Sequence, residues 1–251
     1  MPYGLYLSAE GAQAQAQRLE VIANNMANVE TPGFKRDVPT FQARFAEAIQ
    51  QGQAIAGNRG EHDLGGGVKV AQTLTDYSNS TLRHTKLETD FAINGDGFFR
   101  VRGKDGEMLL TRAGNFSIDG RGRLITQTES LPVLDDAGSE IVLDDSLPWE
   151  VQSGGRIVQE GTSVAIGLSQ PESLGDLVKV GNNLFRSLGP VAPVSGNLRD
   201  IRQGYLEESG VNPTREMMAM IETSRAFEAN TRLVQHQDSM ISGLINRVLA
   251  T

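Results

Sequence analysis

The densest group of chemistry-bearing side chains lies in residues 20–36, EVIANNMANVETPGFKR. Asn24 and Asn28 stand one helical turn apart and share a face, with Asn25 beside them. An amide both donates and accepts, so this patch suits hydrogen bonding to another chain. The plainer alternative is a helix end with polar decoration. Other candidates for chemistry are weaker. The paired acids in DDAGSE and IVLDD have the composition of a general acid–base pair, but they stand in Gly-rich turns, where acids are usually solvated. His62, His84 and His236 are scattered, with no carboxylate at ligand spacing, so no metal site is expected. INGDGFF holds a G-x-G, yet an apolar strand follows it rather than a helix N-terminus, which makes it a turn between strands and a poor phosphate cradle. The chain has no P-loop, no G-x-S-x-G and no cysteine. The expectation is a protein with no enzymatic activity and no cofactor.

Two helices must position the amides and their partners. From Gly4 to Asn28 apolar residues recur at spacings of three and four, among strong helix formers such as GAQAQAQRLE. Small alanines keep the stripe narrow. The asparagines tolerate the left-handed conformation that ends helices, Pro32 forces Thr31 out of the α region, and Gly33 can turn the chain. A second helix is predicted from Pro213 to Leu249, with Asn212 as its N-cap and Pro213 in its first turn. Along it Met217, Met220, Ser224, Phe227, Thr231, Val234, Asp238, Ile241, Ile245 and Val248 alternate three and four without a break, which is a heptad seam. Ser224, Thr231 and Asp238 weaken that seam, so neighbouring copies are expected to help set its register. Each stripe needs a partner, and the economical answer is that the two helices pack on each other.

Between them the pattern changes. Residues 31–75 read as an extended, Gly-rich connector, with a short helix possible through Phe41, Phe45 and Ile49. From about residue 76 to 205, short β segments such as GFFRVR, EMLLTR and RLITQ alternate with turns such as GKDGE, IDGRGR and QSGGR. Strand after strand with no helix between them predicts an antiparallel barrel or sandwich. The fold class is therefore mixed α and β: residues 1–30 and 206–251 as helices forming a coiled-coil layer, and a central all-β domain.

The formal net charge of −8 and the absence of a basic stripe argue against nucleic acid. No apolar run approaches a membrane span, and the first residues lack the basic and apolar regions of a Sec signal. Any export is expected to need no cleaved signal.

Three stretches together resemble one family. VIANNMANVETPGFKR resembles the N-terminal signature of bacterial flagellar basal-body rod and hook proteins, GVNPTREMMAMIETSRAFEANTRLVQHQDSMISGLINRV their C-terminal signature, and DFAINGDGFFRVRGKDGEMLLTRAGNFSIDGRGRLITQ the opening of their β domain. The resemblance implies a structural subunit of the rod, of the FlgF or FlgG type, with the proximal rod favoured over the distal rod. It implies helical self-assembly with other rod and hook axial proteins to transmit torque and enclose an export channel. It also implies passage through the flagellar type III apparatus to the periplasmic basal body. On this reading Asn24, Asn25, Asn28, Thr31, Pro32, Gly33 and Phe34 lie in the layer between subunits, with Met217, Met220, Phe227, Asn230, Val234, Ile241 and Ile245. The rival readings are a binding module or carbohydrate-active enzyme on the β domain, which needs a cleft with convergent polar groups, and a plain coiled-coil dimer.

Overall fold

The computed structural model describes residues 3–43, 67–144, 146–152, 154–196 and 199–249. Phe45, Ile49, His62 and most of the Gly-rich stretch NRGEHDLGGG lie outside the described residues, as does the side chain of Val248. The chain divides into two compact units. One joins Met1–Ala27, Asp37–Asp76 and Asn212–Thr251; the other joins Asn28–Arg36 to Tyr77–Val211.

The first unit holds α1 (Tyr3–Ala27), α2 (Pro213–Leu249) and a two-stranded antiparallel ribbon of β1 (Asp37–Ala43) and β2 (Val68–Thr75). α2 begins as its sequence dictates: Asn212 Oδ1 accepts from the Arg215 amide at 3.1 Å, Pro213 opens the first turn, and Glu216 lies within that turn. Its 37 residues extend about 55 Å. α1 packs on α2, and two glycines fix the direction. A Cβ on Gly4 would lie 2.8 Å from the Gln237 amide nitrogen, and one on Gly11 would lie 3.1 Å from the Asn230 amide oxygen. Seven residues up α1 correspond to seven residues down α2, so the helices run antiparallel.

Continuing that spacing gives the facing stripes. On α1 they are Gly4, Ser8, Gly11, Gln15, Arg18, Ile22 and Asn25, all buried or half-buried. On α2 the half-buried Met220, Phe227, Val234 and Ile241 follow the expected seam. Ser224 and Thr231 are half-buried as expected too, and the covered stripe extends one residue to their N-terminal side. Glu216, Thr223, Asn230 and Gln237 are covered, while Met217 and Ile245 are exposed. The inward stripe is thus half polar. Ser8 and Thr223 satisfy their hydroxyls within their own helices, on the Gly4 and Ala219 carbonyls at 2.9 and 2.6 Å.

The second unit is β-rich. A six-stranded antiparallel sheet has the order β13 (Leu177–Gly181), β14 (Leu184–Ser187), β6 (Met108–Thr111), β5 (Phe98–Arg102), β12 (Leu168–Pro171), β15 (Val191–Pro193). A three-stranded sheet joins β9 (Glu150–Gln152), β10 (Arg156–Gln159) and β11 (Thr162–Ala165). Short pairs complete it: β7 (Phe116–Ile118) with β8 (Leu124–Thr126), β16 (Ile201–Gln203) with β4 (Phe91–Ile93), and β17 (Tyr205–Glu207) with β3 (Leu82–His84).

Alternation along β5 explains its double Phe. Phe99 and Val101 point to the main core with Phe91, Phe116, Leu124, Ile157 and Leu168. Phe98 points the other way, into a smaller cluster with Leu110, Leu177 and Phe185, closed by Tyr77. The sheet is buried on both faces. The barrel that the run of strands suggests does not form. Closure requires every strand to be paired on both sides. Among the described residues the large sheet stops at two edges, β13 and β15, and strands of three residues pair only locally.

Candidate functional site

The Thr-Pro-Gly corner belongs to the β-rich unit, and it is held from several sides. Gly33 has φ +65°, and a Cβ there would stand 2.5 Å from the Arg112 backbone, so only glycine fits this left-handed, close-packed position. The Gly33 amide donates to the Glu207 carbonyl at 2.8 Å, and the Gly210 amide donates to the Phe34 carbonyl at 2.8 Å. Asn183 Nδ2 donates to the Pro32 carbonyl at 2.8 Å. Lys179 Nζ lies 4.6 Å from the centre of the buried Phe34 ring and donates to the Lys35 carbonyl at 2.7 Å. Asn28 starts the corner: its carbonyl accepts from Ser209 Oγ at 2.8 Å, and its Oδ1 from Thr31 Oγ1 at 3.2 Å.

Beneath the corner lies a buried ionic cluster. Lys35 and Glu207 are each 1% exposed at the side chain and are joined at 2.8 Å. Lys35 Nζ also donates to the Ser78 carbonyl at 2.7 Å. The Arg112 guanidinium, equally buried, donates through Nε to the second Glu207 oxygen. Glu207 thus takes a bond from each of two cations, and main-chain carbonyls take further N–H groups of Arg112. Arg112 donates to the carbonyls of Ile93, Gly95 and Gly97 and to Asn79 Oδ1. The INGDG loop therefore turns oxygens toward a guanidinium, the opposite polarity to a phosphate cradle; Gly95 and Gly97, at φ +140° and +117°, permit it. Burial alone would push the Glu207 carboxyl up. The charges and hydrogen bonds of Arg112 and Lys35 outweigh that and hold it below the usual glutamate range. Sequence reasoning passed over Arg112 and Glu207. Lys35 and Glu207 stand 172 residues apart in sequence, and no local pattern joins them.

The helix unit carries the remaining candidates. Asn24 is exposed. Asn25, one residue on, is 1% exposed and clamps β1 with both ends of its amide: Nδ2 donates to the Asp37 carbonyl at 2.8 Å, and Oδ1 accepts from the Asp37 amide at 2.9 Å. Met220, Phe227, Asn230, Val234 and Ile241 lie on the half-buried stripe of α2. Away from that stripe α2 shows an apolar surface to solvent: Met217, Met218, Ile221, Leu233, Met240, Leu244 and Ile245 are all more than half exposed. The last three lie where the register leaves no described residue of α1 beside them.

The β-rich unit also has a cleft of about 460 Å³ bounded by Glu88, Trp149, Glu150, Gln152 and Gln203. Its polar groups do not converge on open space. The Gln203 amide is spent on the Val151 amide and the Glu88 carbonyl, both at 3.1 Å. This weakens the reading of the β domain as a small-molecule site. Among the described residues no group of His, Asp and Glu could hold a metal ion, and no helix is long and apolar enough to cross a membrane.

Three family models match this architecture. Residues 5–35 match "Flagella basal body rod protein", residues 92–167 match "Flagellar hook protein FlgE/F/G D1 domain", and residues 202–247 match "Flagellar basal body rod FlgEFG protein C-terminal". The flagellar basal-body rod protein FlgG of Buchnera aphidicola subsp. Schizaphis graminum is 32% identical, over 96% of this chain and 97% of its own length. The chain belongs to the flagellar basal-body rod protein family. Other rod proteins match to a similar extent. FlgF of Caulobacter vibrioides is 33% identical over 99% of this chain and 98% of its own length, and FlgG of Bacillus subtilis is 31% identical over 96% and 97%. The family segments map onto the structure in order. The first ends at Lys35, the second contains Arg112, and the third contains Glu207. The buried cluster takes one residue from each.

Proposed function

We propose that this protein is a structural subunit of the bacterial flagellar basal-body rod, of the FlgF or FlgG type, with no catalytic step of its own. One observation carries the reading: α2 turns a half-polar stripe to α1 and leaves a long apolar surface in water. A helix 37 residues long with that surface needs neighbours of the same kind. In the rod those neighbours are further copies and other axial proteins. The helix pairs then form a coiled-coil layer around a hollow axis. Met217, Met220, Ile241 and Ile245 contribute to contacts between subunits, with Phe227, Asn230 and Val234 holding the pair itself. Asn24, exposed on α1, belongs to the same layer between subunits. Asn25, Gly33 and Phe34 serve the same assembly from inside the chain, by fixing β1 and the corner. The subunit passes through the flagellar type III export apparatus without a cleaved signal and works in the periplasmic part of the basal body.

The test is deletion of the gene followed by imaging of basal bodies and complementation. Loss of the rod, restored by the intact chain but not by an exported Met240→Ser/Leu244→Ser variant, is expected. Intact rods and normal swimming in the deletion strain would refute the assignment.

A further inference from the structure

We infer that Lys35, Arg112 and Glu207 form a latch that makes seating of the N-terminal corner conditional on β17, the strand that comes just before α2 in the chain. The corner, Asn28–Arg36, follows α1 and contributes no strand to any sheet of the β-rich unit. It is added to that unit by point contacts, and the deepest of them are ionic. Lys35 is 1% exposed, which a lysine accepts only with a paired anion at hand. That anion is Glu207, at the last position of β17.

The order of events follows from charge. Without Glu207 in place, seating the corner would enclose the Lys35 ammonium beside the Arg112 guanidinium, two like charges out of water. With Glu207 in place both find a carboxylate oxygen, and the Ser80 amide adds a third bond to it at 3.0 Å. The same strand offers the Glu207 carbonyl to the Gly33 amide, and Gly210 just beyond it reaches the Phe34 carbonyl. The Gly33 main-chain bond and the Lys35 side-chain ion pair thus share one prerequisite, a residue 172 positions from Lys35. The corner seats only when the far end of the chain is already paired with β3. The latch stands whether or not the rod assignment holds.

Amide hydrogen exchange on the full-length chain tests it. In Glu207→Gln, exchange at Gly33 and Gly210 is expected to accelerate about 100-fold or more. Val133 and Leu124, whose amides bond within the main core, are expected to stay within about threefold. Lys35→Met keeps the Arg112–Glu207 pair and is expected to give a smaller acceleration at the same two amides. Adding Glu207→Gln to Lys35→Met is expected to do less than Glu207→Gln alone, because the buried ammonium beside Arg112 is then gone. Should Glu207→Gln leave no folded β-rich unit, Lys35→Met decides: loosening confined to Gly33 and Gly210 supports the latch. Uniform loosening across the unit, no loosening, or additive effects of the two substitutions would overturn it.

Discussion

The β-rich unit and the helix unit solve opposite problems with the same residue types. In the β-rich unit every phenylalanine is buried, and Phe91, Phe99, Phe116 and Phe185 are fully so. Its charged cluster is buried as well, with Lys35 and Arg112 both bonded to Glu207. In the helix unit the polar residues Ser8, Gln15, Asn25, Glu216 and Thr223 are covered, while Met218, Met240 and Leu244 stand 62–63% exposed. The first arrangement completes its own interior. The second leaves apolar area for another molecule to cover, worth roughly 25 cal/mol for each Å² removed from water. Under the proposed rod function, folding of the chain and association between chains fall to different units.

The largest expected effect tests the self-sufficient side. Phe116→Ala removes a side chain that packs on both Phe91 and Phe99. It should destabilise the β-rich unit by about 3–5 kcal/mol. Urea unfolding followed at Trp149, the single tryptophan and a member of the same core, reads that loss. Next comes acid. The Glu207 carboxyl is held below the usual glutamate range in the folded chain, so the folded state favours the charged form. Its contribution is complete above the unfolded value of about 4.3 and is lost as pH falls through the lowered folded value. The Trp149 unfolding midpoint should therefore drop with falling pH below about 5, and more gently in Glu207→Gln. A third variant moves to the helix unit. Asn25→Ala removes two hydrogen bonds and leaves the Asp37 backbone groups without these partners, a cost of about 1–3 kcal/mol. Exchange at the Asp37 amide should accelerate, while Trp149 unfolding should not change. The smallest effect on the isolated chain belongs to Met240→Ser/Leu244→Ser. Exposed positions should cost less than about 0.5 kcal/mol. Assembly measured by sedimentation should nevertheless fail in this variant. Normal assembly would show that the exposed surface of α2 is not the contact.

Much of this was legible from the sequence, for reasons that can be named. α2 could be read to its first residue because Asn212 and Pro213 mark its start and its apolar residues keep a heptad. α1 could be read because its small residues recur at helical spacing and its end is marked by Asn and Pro. The covered stripe of α2 is wider than the predicted seam, taking in Glu216, Thr223, Asn230 and Gln237, for a physical reason. Apolar periodicity marks where apolar residues lie, and here part of that pattern looks outward, while Asn230 and Gln237 fit against Gly11 and Gly4. Strand existence was legible from turn chemistry, but closure was not, because pairing partners are set by contacts distant in sequence. Asn25 illustrates the same limit. Its type suggested an intermolecular amide, and its position gives it to β1. Lys35 had no local signal at all, since the feature that explains it is a carboxylate in β17.

The antiparallel register of α1 and α2 has an electrical consequence. Aligned peptide units give a helix roughly half a positive charge at its N-terminus and half a negative one at its C-terminus. Side by side and opposed, the two helices cancel most of that field along their shared length. Only the final turns of α2 keep an uncancelled negative end, and Arg247 lies in its last turn to offset it. The pair as a whole therefore carries little net dipole along its shared length, and the field it shows to solvent is concentrated at one end.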